Sequence, residues 1–186
     1  AVRRRSARIE MPIAMPMLYM GFKGPAARSG LHGLRLETST SVMLDLLLGE
    51  TSRLYEELYA EGLIGDDFSW HVQGDRSMSY VMVGGQTPDP LKLERRTLEA
   101  IERGLSSRRT SVDVERVRRR VLGDHVRLLD SMESLCGHLA DCHRSRLDPF
   151  ALPELVANIS TASIRKYARQ MLDLGRVTSV LVSPSR

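Results

Sequence analysis

The sequence predicts an α+β fold in which a mixed, mostly antiparallel sheet carries helices packed on one face. Three observations lead there. The order of elements is strand, two helices, hairpin, a run of helices and a closing strand. Only the hairpin strands are neighbours along the chain, so the others must return from distant points to share its sheet. No repeat of solenoid period, low-complexity tract or linker divides the chain, so residues 1–186 read as one domain.

Met17 to Phe22 reads as a buried strand, with Pro12 and Pro16 confined to its entry, where a missing ladder donor is tolerated. Lys23-Gly24-Pro25 ends it. From Leu31 to Leu48, Leu34, Thr38, Val42 and Leu46 recur at helical spacing, Met43 and Leu47 widen the stripe, and Gly49 is the stop. A second helix follows, capped by Thr51 or Ser52 and ended at Gly62. Along it, Leu54 with Leu58 and Tyr55 with Tyr59 are i, i+4 pairs. Phe68, Trp70 and Val72 alternate with polar neighbours, Gly74-Asp75-Arg76-Ser77 forms a turn, and Met78 to Val83 runs back, giving a hairpin.

Asp89-Pro90 is an N-cap followed by a proline at the first helical position, and it opens a helix through Leu98, Ile101 and Leu105. The next pattern predicts one long helix from Asp113 to about Leu147. Its stripe is Val114, Val117, Val121, Leu128, Met132, Leu135, Leu139 and Cys142, with His125 among them. Roughly 50 Å of helix is more than a small domain needs, so a bend is expected near Gly123 or Gly137. Asp148-Pro149 breaks it. A short helix covers Leu152 to Asn158. Ser160 or Thr161 caps the last helix, built on Ile164, Tyr167, Ala168, Met171 and Leu172, with Gly175 as its stop and Val177 to Val182 as the closing strand.

Of the 186 residues, 42% are hydrophobic and 27% charged, the balance of a folded globular chain. The longest nearly apolar stretch, Met11 to Phe22, is too short for a membrane span and carries two prolines. The opening Ala1-Val2-Arg3-Arg4-Arg5 has no initiating Met and no following signal-peptide core, which predicts a fragment of a longer chain. Cys136 and Cys142 fall six apart on one helix and cannot bridge, so a reducing cytoplasm is expected. Net charge is +4, and only Lys23, Lys92 and Lys166 of the 27 basic residues are lysines. With 5% aromatic residues the chain offers few platforms for stacking bases, so nucleic acid is not the expected partner.

Several constellations compete for a role. Cys136-x-His138-x-x-x-Cys142-His143 has short Cys/His spacing, but His138 and Cys142 share one helix face while Cys136 and His143 share another. Four ligands do not converge, so no metal is assigned. Arg116, Arg118, Arg119 and Arg120, with Arg108 and Arg109, form the densest positive run. Interleaved Asp113, Glu115 and Asp124 make it a solvated helix face rather than a phosphate site. His125 reads as a hydrogen-bonded core or interface histidine. Met11, Met15, Met17 and Met20 suit either an adaptable peptide-binding surface or ordinary core filling.

Met17-Leu18-Tyr19-Met20-Gly21-Phe22, Ser52-Arg53-Leu54-Tyr55-Glu56-Glu57-Leu58-Tyr59 and Ser160-Thr161-Ala162-Ser163-Ile164 before Val177 to Val182 resemble the pitrilysin/insulinase-type zinc metallopeptidases, over roughly Ile9 to Ser183. The inverted His-x-x-Glu-His zinc string of that family does not occur among His32, His71, His125, His138 and His143. The resemblance therefore implies a C-terminal, non-zinc half of a clamshell. Zinc and general base would come from an N-terminal half or a homologous subunit, and the chain itself would hold no cofactor.

The family often has an arginine and, seven residues later, a tyrosine that hold the substrate. Alignment of the second helix puts Tyr59 and Asp66 at those two positions, with Arg53 on the same helix as a further substrate-contact candidate. An ionised Asp66 cannot donate a hydrogen bond to a carbonyl oxygen as a phenol can, so no catalytic residue is assigned. In family members that divide the zinc motif and the Arg/Tyr pair between subunits, a half lacking the pair belongs to the zinc-carrying subunit. The reading is a substrate-chamber domain of a zinc endopeptidase, inactive alone, with a peptide as substrate and self-association of the fragment expected. A non-catalytic assembly domain that keeps the peptidase fold is the alternative.

Overall fold

A computed structural model describes residues 2–26, 30–74, 78–107 and 111–185. The turn expected at Asp75 to Ser77, and Arg108 and Arg109 of the arginine run, lie outside these residues. Five strands form one sheet in the order β1-β5-β2-β4-β3. They are β1 (Ser6–Met11), β2 (Met17–Lys23), β3 (Ser69–Gly74), β4 (Ser79–Gln86) and β5 (Val177–Pro184). Only β1 and β5 run parallel, and every other pairing is antiparallel. The mixed, mostly antiparallel sheet is thus as expected, and no helix of the described residues is long and apolar enough to cross a membrane.

The helices are α1 (Leu31–Leu48), α2 (Arg53–Ala60), α3 (Pro90–Ser106), α4 (Ser111–Leu129), α5 (Met132–Ser145), α6 (Ala151–Asn158) and α7 (Thr161–Met171). Alternation in the strands sends Leu18, Met20 and Phe22 of β2, with Val81 and Val83 of β4, to the helical side, where all are buried. Against them lie Val42, Met43 and Leu47 of α1, Leu93 and Ile101 of α3, and Ile164, Ala168 and Met171 of α7. Helix α1 is buried nearly all round from Thr38 to Gly49 because it touches the sheet on one side and α4, α6 and α7 on others. Its approach to α3 is close enough that a side chain at Gly104 would collide with Leu47.

Caps fix the elements where the sequence indicates. The Ser52, Asp89 and Ser160 side chains accept from the backbone N–H groups of Tyr55, Lys92 and Ser163. Gly62, at φ 64°, reverses the chain after α2, and the Leu63 N–H donates to the Leu58 carbonyl at 2.9 Å.

Three expectations are corrected. Strand β1 was not anticipated, because Ala7, Ile9 and Met11 alternate with Arg8 and Glu10 behind a basic run and it is an exposed, charged edge strand. The long helix is two helices: the chain breaks at Asp130-Ser131, where the Ser131 hydroxyl caps α5 by accepting from the Ser134 N–H, while Gly123 and Gly137 sit inside α4 and α5. A serine cap outweighed the continuous apolar stripe. Helix α7 ends at Met171, and Gly175 belongs instead to a 3₁₀ turn, Leu174–Arg176, capped by Asp173.

Candidate functional site

Helix α2 presents two faces. Leu54 and Leu58 enter the core, which leaves Arg53, Glu56, Glu57 and Tyr59 facing outward or half-covered. Tyr59 is 52% exposed and its ring stacks on Tyr55, centroids 6.1 Å apart and planes 12° from parallel. Tyr55 in turn meets Phe68 at 6.3 Å. The result is an aromatic strip running from solvent to the core edge. Burial, then the negative groups Glu50 and Asp66 followed by Tyr59 and Asp67, raises the Tyr55 hydroxyl above its ordinary pKa, so it stays a neutral donor.

Asp66 is exposed in the turn beyond Gly62, and of the aligned pair only Tyr59 contacts Tyr55. Arg53 stands apart. Six residues from Tyr59 it lies roughly 120° around the helix axis, and its Nε donates to Glu57 Oε1 at 2.7 Å. The better-held cation nearby is Arg96 of α3, which the sequence reading passed over. Its guanidinium spans Glu57 and Glu61 at 2.9 Å each, and Lys92 adds a 2.8 Å contact to Glu61. Hydrogen bonds from Lys92 and then Arg96 hold the Glu61 carboxyl below its ordinary pKa.

The face of the sheet away from the helices mixes apolar and polar side chains and is open in part. Register places Ile9, Val182 and Met17 in one cross-strand row, Ala7, Val180, Tyr19, Gly84 and Ser69 in the next, and Gly21, Met82 and His71 beyond. Ile9 and Met11 are each 47% exposed and Met82 42%. The methionines thus divide: Met20 fills the core, while Met11, Met17 and Met82 furnish this second surface. Exposed apolar side chains grouped on a sheet face make it a candidate interaction surface.

The Cys/His set gathers differently. His138 Nε2 lies 3.1 Å from the Pro149 carbonyl oxygen and 3.6 Å from Cys142 Sγ, and the ring of His125 meets that of His138 edge-on at 5.4 Å. Cys136 is exposed and free. Burial pushes the Cys142 thiol up, helped by Asp141 and Asp148, and burial followed by His138 pushes His125 down, which favours the uncharged form of each. Among the described residues, no three His, Cys, Asp or Glu side chains are arranged to hold a metal ion.

The described arginines of the run are staples. Arg116 donates to the Thr51 hydroxyl, Arg118 to the Ile159 carbonyl, Arg119 pairs with Glu115 and Arg120 with Asp45 and Asp124. Committed to protein oxygens, they make a poor phosphate surface.

Comparison with known proteins points one way. A family model described as the peptidase M16 inactive domain matches residues 2–121. A Bacillus subtilis (strain 168) protein called an uncharacterized zinc protease, YmfH, is 24% identical over 185 residues, 99% of this chain and 43% of the relative. The chain thus spans less than half the length of that relative. Among solved structures, a protein from Alicyclobacillus acidocaldarius described as an M16-like peptidase superposes with a TM-score of 0.91 at 23% identity, over 98% of this chain and 44% of that one. A peptidase M16 inactive domain from Pseudomonas fluorescens superposes with a TM-score of 0.77 at 16% identity, over 100% of this chain and 45% of that one.

Proposed function

Since the chain belongs to the peptidase M16 inactive-domain family, we propose that it forms the non-zinc wall of a peptidase chamber that closes on an unfolded peptide. The observation that carries this is the set of exposed apolar side chains on the open sheet face, from Ile9 and Met11 across Met17 and Tyr19 to Met82. Such a face needs a counterpart. A zinc-bearing half, supplied N-terminally in the same protein or by a homologous subunit, would provide it together with the metal and the general base. The cysteines, unpaired in the fold, suit a reducing cytoplasm.

In this reading the protein's own side chains bind and orient. Tyr59, stacked on Tyr55, offers a flat apolar face and a phenol to a peptide passing over α2. Asp66 is exposed in the turn after α2, where its negative charge favours a basic peptide residue. Arg53, paired with Glu57, tunes charge at the rim. None of the three performs bond chemistry.

Mixing the purified chain with the zinc-bearing half tests the proposal. A co-eluting complex that cleaves an unfolded peptide, and stops when the zinc is chelated, is expected, while the chain alone cleaves nothing. If the halves co-elute without cleaving, the assembly-domain reading replaces this one, favoured by the Tyr59/Asp66 departure from the Arg/Tyr pair. If they do not associate at all, both fail.

A further inference from the structure

On the helical side, remote from the open sheet face, α1, α6 and α7 line a half-open cavity of about 310 Å³. Leu31, Leu155, Ile159 and Tyr167 give its lining an apolar part, and Asn158 and Ser163 add neutral polar groups. The Tyr167 ring is held edge-on against His32 at 5.8 Å. Two opposite charges, Arg35 of α1 and Glu154 of α6, line the same cavity, yet neither pairs with the other or with any described residue. Ser39, one turn beyond Arg35, lies at the floor, wholly buried, and its hydroxyl lacks a hydrogen-bond partner.

Both side chains are exposed and line the same cavity without bridging, whereas Arg96 bridges Glu57 and Glu61 elsewhere in this protein. Unpaired in a lining that also offers apolar side chains and an unsatisfied buried hydroxyl, they match a ligand that carries both charges and an apolar body. A simple anion would meet repulsion from Glu154, and a simple cation repulsion from Arg35. We propose that this cavity binds a free α-amino acid with an apolar side chain, its carboxylate on Arg35, its ammonium on Glu154, and its side chain against Leu155, Ile159 and Tyr167. A peptide end fits less well, because only the free amino acid carries both charges on one carbon. The volume, at the small end of ligand pockets, fits a single residue. Nothing in this assignment depends on the chamber role.

Isothermal titration of the purified protein with L-leucine tests it, with N-acetyl-L-leucine, L-leucinamide and the dipeptide Leu-Gly as the other arms. Leucine is expected to bind one to one and saturably, and each of the other compounds at least about tenfold more weakly, the size of one lost charge-assisted hydrogen bond. Arg35→Gln and Glu154→Gln, both at exposed positions that leave the fold intact, should each cost leucine a similar factor. Ser39→Ala should weaken binding while raising the melting temperature of the ligand-free protein. Absence of saturable heat with leucine, equal binding of the acetylated and amidated compounds, or indifference to both charge variants would overturn the assignment.

Discussion

Arg120 of α4 reaches Asp45 of α1 with nitrogen and oxygen 2.5 Å apart, although the carboxylate is almost wholly buried. The contact is an ion pair without hydrogen-bond alignment, since both Asp45 oxygens lack a directed partner. Burial raises the Asp45 pKa against the pull of Arg120 and then Arg116. The carboxylate also faces the negative end of its own helix, and Arg120 offsets both effects.

Removing that cation leaves a buried charge uncompensated. Arg120→Ala should cost about 1–3 kcal/mol in urea unfolding at pH 7, less than a fully buried pair because Arg120 is half-exposed. A carboxylate whose folded pKa is raised stabilises below its unfolded value and loses that contribution as pH rises through the folded one. The loss in Arg120→Ala should therefore shrink in acid, and Asp45→Asn added to it should restore most of the stability at pH 7.

Glu37 offers a second pH handle. Packed between α1, β3 and α5, its carboxyl is raised from 4.5 to about 6, chiefly by burial, against a hydrogen bond from the Gly74 backbone and the charges of Arg144 and His71. Stability linked to it is present below pH 4.5 and lost as pH rises through about 6. Glu37→Gln should accordingly raise the melting temperature at pH 7.5, by the equivalent of about 1 kcal/mol after solvent screening, and leave it unchanged at pH 4. A uniform shift at both pH values would assign Glu37 a role other than titration.

Tyr59 tests the aromatic strip. Tyr59→Ala should change the stability of the domain by no more than about 0.5 kcal/mol, since the ring is outside the core. In the assembled peptidase it should lower kcat/KM about tenfold, the loss of one packed peptide side chain. Asp66→Asn should have the smaller effect. Unchanged turnover in Tyr59→Ala removes α2 from the substrate path.

The open sheet face should make the isolated chain sticky. Sedimentation velocity at rising concentration should reveal self-association, and Ile9→Lys with Met82→Lys should suppress it without altering the circular dichroism spectrum. The same double variant should weaken binding to the zinc-bearing half. A chain that stays monomeric at every concentration contradicts the idea that this face seeks a cover.

Periodicity and capping residues carried most of the fold. Helix α3 is legible because Asp89 and Pro90 announce its start, and α2 because Ser52 and Gly62 bracket it. What stayed hidden depends on partners far along the chain. Strand β1 has too little apolar character to be read until its pairing with β5 is known. The break at Ser131 was masked because the stripe from Val114 to Cys142 stays in helical phase across it, and phase reports which side is apolar rather than whether the backbone is continuous. The ionic staples followed the same logic. Arg116 and Arg120 read as part of a solvated helix face, and no local pattern could reveal that Thr51 and Asp45 would receive them. Tyr59 and Asp66 were named from resemblance, whereas Arg96 needed the α2–α3 contact to become visible.

The insertion of β5 between β1 and β2 sets an order on synthesis. Strands β1 and β2 leave the ribosome early, but the edges that will face each other's neighbour stay unpaired until residues 177–184 have been made. Until then β2 can pair only with β4, and a three-stranded sheet in the order β2-β4-β3 waits with its helices for β5. A nascent chain paused before Val177 would expose Tyr19, Met17 and the β2 backbone to any strand in reach. Closing the sheet joins residues about 170 positions apart, the kind of long-range pairing that folds slowly.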